Sequence, residues 1–74
     1  MKRAKFKHPR DYYYDHDVAR LVAVALAAGI EISHDDAKLA WEAYSDSMAA
    51  GWMMLDEEDA HNLANIMPYL EVEE

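Results

Sequence analysis

Two short runs place histidine beside carboxylates, Asp15-His16-Asp17 and His34-Asp35-Asp36, and imidazole with carboxylate oxygen is a donor set that takes zinc or another divalent cation. A metal needs its ligands to converge on one point, whereas sequence neighbours diverge around a helix. Both runs stand where helices would begin, so the acids are expected to cap and the histidines to be solvated, with no metal and no cofactor at His16 or His34. His61 follows Glu57 by four residues, the spacing of a surface helical pair. Catalytic patterns are weaker still. Ser33, Ser45 and Ser47 have no glycine elbow and no evident base, and no phosphate-cradling glycine loop exists. The 15 acids always permit a carboxylate pair for acid–base work, but 74 residues leave little room for a deep pocket beside a core. The expectation is a protein that binds and does not catalyse.

Two sets of residues could do the binding. Nucleic-acid phosphates repeat about every 3.4 Å per strand. On a helix Asp35, Glu42 and Asp46 share one face, spaced about 10 and 6 Å at a rise of about 1.5 Å per residue. Asp56, Glu57, Glu58 and Asp59 add a second patch, and together they could occupy a basic groove as a nucleic-acid mimic. The plainer alternative is a solvated helix face. The other set is apolar: Trp41, Tyr44, Met48, Trp52, Met53 and Met54 are the heaviest aromatic and methionine cluster. Such stripes are usually core, yet these groups crowd a small interior, and Trp, Tyr and Met are enriched at interfaces. The candidate apolar interface is Trp52, Met53, Met54, Leu39, Ala23 and Ala27, with Met53 and Met54 the residues expected at the surface. Of Tyr12, Tyr13 and Tyr14, at least one is expected to make a surface contact, because tyrosine buries one end and wets the other.

The elements that would carry these residues follow from periodicity. Val18, Leu21, Val22, Ala25 and Leu26 recur at helical spacing, giving a first helix over about 12–28, capped by Asp11 or Asp15 and closed by Gly29. Arg20 is its only long polar residue between Val18 and Gly29, so this helix is expected to be buried on more than one side. Ser33 and Asp36 resemble a capping box and open a second helix over about 34–50, closed by Gly51. Ala37, Trp41, Tyr44 and Met48 share one of its faces, and its polar arc is Asp35, Lys38, Glu42, Ser45 and Asp46. The wide apolar arc places this helix in the middle. The acidic turn Asp56–Asp59 opens a third helix over about 57–67, with Ala60, Leu63, Ala64 and Met67 inward and Pro68 ending it. The expected fold is therefore all-α, a three-helix domain over 11–74. Residues 1–10 form a flexible basic arm and Tyr69 to Glu74 a short acidic tail.

Charge separates these parts. Lys2, Arg3, Lys5, Lys7 and Arg10 are five of the seven basic residues, while the chain from Asp11 onward carries two basic and 15 acidic side chains, a net of −13. An acidic body repels nucleic acid and favours basic partners. A basic arm gripping phosphates through those five residues is a third possibility, opposed by that body. There are no cysteines, hence no disulfide and no thiolate metal site. A chain this short buries only about 60% of its unfolded surface, which makes self-association, as a homodimer, a reasonable source of stability. DYYYDHD stands where a signal peptide would have its apolar region, and Val18 to Ile30 falls short of the roughly 20 residues of a spanning helix. The expectation is a cytoplasmic protein without membrane contact.

The run from Trp41 to Met53, WEAYSDSMAAGWM, resembles a pattern in small phage-encoded proteins, and covers a limited part of the chain. In size, acidity and lack of cysteine the chain is also similar to anti-CRISPR and anti-restriction proteins, a likeness of class. That likeness implies a phage inhibitor that blocks a host defence or nucleic-acid-handling complex by occlusion, without contacting nucleic acid directly. A helical dimeric adaptor, pairing through the apolar Trp/Met/Ala surface, is the alternative.

Overall fold

Ala4 and Phe6 stand two residues apart between charged side chains, the alternation of a half-buried strand. In the computed structural model, which describes residues 1–8, 10–50 and 53–73, Lys2–Phe6 (β1) is the middle strand of a three-stranded mixed sheet. It runs parallel to Ile30–Ile32 (β2) and antiparallel to Leu70–Glu73 (β3). Three helices complete an α/β fold: Ala19–Ala27 (α1), His34–Ser47 (α2) and Asp59–Ile66 (α3). The all-α expectation is thus overturned. The basic arm becomes the central strand, and the acidic tail becomes its antiparallel neighbour.

The physical reason lies in the pairing. Ala4 is opposite Ile32 and Val72, and Phe6 is opposite Leu70, so the apolar members of all three strands share one face. Ala4, Phe6, Ile32 and Leu70 there join Val18, Leu21, Ala37, Trp41 and Ile66 from the helices in one core. The other face carries the charges. Arg3 is flanked by Glu31 and Glu73, and Lys5 is opposite Glu71, with its Nζ 3.7 Å from a Glu73 carboxylate oxygen. Opposite charges across strands stabilise the pairing, so charge that is segregated along the chain is interleaved in space.

Helix α1 starts at Ala19, well after Asp11 and Asp15; Asp17 Oδ1 accepts the Ala19 N–H at 3.3 Å. It closes at Gly29, whose φ of +83° suits a residue without Cβ and whose N–H reaches the Leu26 carbonyl at 2.9 Å. Contrary to the expectation of burial on more than one side, Val18, Leu21 and Ala25 face inward on one side while Ala19, Ala23, Leu26 and Ala27 are exposed. Ser33 caps α2, accepting the Asp36 N–H at 3.1 Å and donating its hydroxyl to Asp36 Oδ2 at 2.9 Å. Asp36 Oδ1 in turn accepts the Phe6 N–H at 3.3 Å, which joins the helix start to the end of β1. The helix ends at Ser47, with Ala49 in the left-handed region at φ +56°; Gly51, expected to close it, lies outside the described residues. In α3 the inward residues are Asn62 and Ile66, whereas Ala60 and Ala64 are exposed and Leu63 and Met67 half-buried. A single 3-10 turn, Met67–Tyr69, carries Pro68 and leads into β3.

Candidate functional site

Residues 10–18 run as an extended loop whose backbone N–H groups need acceptors from elsewhere. Glu42 supplies them. Although it lies on the expected polar arc of α2, it is only 1% exposed. Its Oε2 accepts the N–H of Tyr13 at 2.8 Å and of Tyr14 at 3.1 Å, and its Oε1 lies 3.1 Å from Arg10 Nη1. Arg10 extends to Asp46 at 3.8 Å and sits over the Tyr13 ring. Beside it, Lys38 pairs with Asp15 at 2.5 Å and lies over the Tyr12 ring. The hydrogen bond from Lys38 holds the Asp15 carboxyl below its ordinary pKa and raises that of the ammonium in return. The loop carries His16 inward to 3% exposure, edge-on to the Tyr14 ring. Burial pushes the imidazole below its ordinary pKa; Glu42, Asp15 and Asp46 oppose that shift and Lys38 adds to it.

A second loop, residues 53–58, is fastened differently. The Trp41 indole N–H donates to the Met53 carbonyl at 2.7 Å. The Asn62 amide accepts the Asp56 N–H and donates to the Asp56 carbonyl, both at 2.8 Å, so one side chain satisfies both backbone groups of one residue. Arg20, from α1, pairs with Asp59 at 2.8 Å and donates to the same Asp56 carbonyl.

Between the two loops lies a groove of about 410 Å³, lined by His16, Asp17, Ala19, Arg20, Trp41, Met53, Met54 and Leu55. That volume falls in the range of about 300–1,000 Å³ typical of ligand sites. Half-buried Met53 and Leu55 supply apolar surface over the buried Trp41, and Met54 is 74% exposed beside them. Among the described residues no hydroxyl, thiol or lysine amine lines it, and its polar side chains are His16, Asp17 and Arg20. Met53, Met54 and Leu55 suit the groove to an apolar group.

The acidic residues singled out by sequence separate in space. Glu42 is buried and occupied, which breaks the ladder on α2; Asp35 and Asp46 stay exposed but lie about 16 Å apart along the axis at about 1.5 Å per residue. Asp56, Glu57 and Glu58 are exposed, while Asp59 is half-buried and paired with Arg20. The apolar set also divides. Leu39 is in the core, Met53 and Met54 line the groove, and Ala23 and Ala27 are exposed on α1 beside Leu26. Trp52 lies outside the described residues. Sequence reasoning missed His16 as a groove wall, Arg20 as the tie to Asp56 and Asn62 as its anchor. Only Asn62 left a signal, a poor helix former one turn before Ile66.

Among the described residues no group of three or more His, Asp or Glu side chains gathers to hold a metal ion, and no helix is long and apolar enough to cross a membrane. No family model matches the chain, and neither curated proteins nor solved structures yield a match.

Proposed function

We propose that the protein is a non-catalytic binding module that acts by occlusion, seating an apolar side chain of a protein partner in the groove between its two loops. Met54 carries this proposal: a large apolar side chain left 74% exposed at the edge of a groove lined by Trp41, Met53 and Leu55. Exposed apolar surface of this kind is covered when a partner binds, and methionine adapts its shape to what covers it. The likeness in class to phage inhibitors supplies the kind of partner, a host defence or nucleic-acid-handling complex met in the host cytoplasm. Direct mimicry of nucleic acid is the weaker mode, because Glu42 is spent inside the protein. A homodimer through the exposed Ala23, Leu26 and Ala27 of α1 is a secondary reading, opposed by the net charge of −8 on each copy.

Affinity capture from bacterial lysate at low and high salt tests it, comparing the tagged chain with Ala19→Trp. Ala19 is exposed and lines the groove, so the indole fills the groove without entering the core. The expected result is a partner that survives high salt and is lost with Ala19→Trp. A partner that high salt releases and Ala19→Trp retains would transfer binding to the acidic surface and end this proposal.

A further inference from the structure

We infer that the groove takes an apolar anchor flanked by lysine or arginine, on an exposed basic segment of the partner; this rests on the groove being the binding site. The apolar floor fixes one half of that chemistry. The charges around it fix the other half.

Arg20 is the cation lining the groove, and it is compensated by Asp59 at 2.8 Å and by the Asp56 carbonyl. Asp17 lines the same groove, with one oxygen on the Ala19 N–H and no ion pair among the described residues. On the opposite wall Met53, Met54 and Leu55 lead directly into exposed Asp56 and Glu57, and Glu57 makes no ion pair among the described residues. The uncompensated charge on both sides is negative, as is the chain as a whole at −8. A cation one helical turn from an apolar anchor would reach either rim while the anchor occupies the floor. A second copy of this chain is a poor occupant, since its own net charge of −8 is repelled.

The test titrates the full chain with a tryptophan-free amphipathic peptide of leucine and lysine, read by intrinsic tryptophan fluorescence and by calorimetry. Two further peptides keep the pattern, one with glutamate for lysine and one with serine for leucine. The leucine–lysine peptide should bind at least tenfold more tightly than either. Ala19→Trp and Met54→Ser, both at exposed positions, should each weaken it at least tenfold. Asp17→Asn keeps the acceptor for Ala19 while removing the charge, and should weaken it severalfold.

Equal affinity for the glutamate peptide, no binding of the leucine–lysine peptide, or full affinity in Ala19→Trp and Met54→Ser would overturn the inference. A dimer in sedimentation that Ala19→Trp dissolves would overturn it as well, by giving the groove to a second copy. The two proposals fail separately. If Ala19→Trp abolishes capture of a lysate partner but the leucine–lysine peptide does not bind, the groove remains the site and its basic specificity is wrong. If Ala19→Trp leaves capture intact, the groove itself is not the site.

Discussion

The two loops that wall the groove are fastened by opposite chemistry. Residues 10–18 hang on the buried Glu42 carboxylate, whereas residues 53–58 hang on the Asn62 amide and the Trp41 indole N–H. Hydrogen bonds to an ionised acceptor are roughly twice as strong as neutral ones. They also bring a buried charge that must keep its partner, here Arg10 at 3.1 Å. An amide matches a donor and an acceptor at once and has no charge to lose. The first wall therefore hangs on a buried charged acceptor and is the stronger; the buried anchors of the second, Asn62 and Trp41, are neutral, and its charged contacts, Arg20 and His61, lie at the surface.

Removing the two anchors measures that difference most directly. Glu42→Ala should cost about 3 kcal/mol, because it strands two backbone N–H groups and the Arg10 guanidinium. Asn62→Ala should cost about 2 kcal/mol, for two neutral hydrogen bonds at a buried site. Urea denaturation of both variants provides the comparison, and an equal or reversed ranking would break it.

Acidity should separate the walls next. The folded His16 imidazole lies below its ordinary pKa of 6.5, so the unfolded chain takes up the proton first. Stability is full above about 6.5 and falls as pH drops through the folded value. His16→Gln should flatten that slope and Asn62→Ala should leave it unchanged, which denaturation at a series of pH values reads out. Asp15 acts in a lower window: its folded carboxyl lies below the ordinary 3.8, so its contribution is present above about 3.8 and is lost as the pH falls further.

The smallest effect is a backbone control outside both loops. Ala49 occupies the left-handed region at φ +56°, where glycine is at ease. Ala49→Gly should raise stability by about 0.5–1 kcal/mol. That gain should add independently to the Glu42→Ala and Asn62→Ala losses in double variants, since neither residue is bonded to Ala49.

Local signals were legible and distant ones were not. The Ser33–Asp36 cap and the Gly29 stop need only residues within one turn, and both do in the structure what their spacing implies. The strands were hidden because each offers only two apolar positions: Ala4 and Phe6 among charges that read as an arm, Leu70 and Val72 among charges that read as a tail, and Ile30 and Ile32 in the short link between two helices. Glu42 was illegible for another reason. Its ligands are backbone N–H groups from a loop 28 and 29 residues earlier in the chain, and backbone donors leave no mark in a sequence. On composition alone a glutamate on a helix is solvated.

The placement of β1 also governs how the chain reaches this structure. Arg3 pairs with Glu73 and Phe6 with Leu70, nearly the full length of the chain apart. Closing so large a loop is entropically costly before any contact rewards it, while the turns of α1, α2 and α3 form from neighbours. Sheet completion is accordingly a late event, and the low-order helical contacts lead. During synthesis, β1 emerges before β3 and can pair with it only once residues 70–73 are made. Until then one side of the central strand stands open to any other extended chain, and like-charge repulsion among Lys2, Arg3 and Lys5 disfavours the pairing of two such strands.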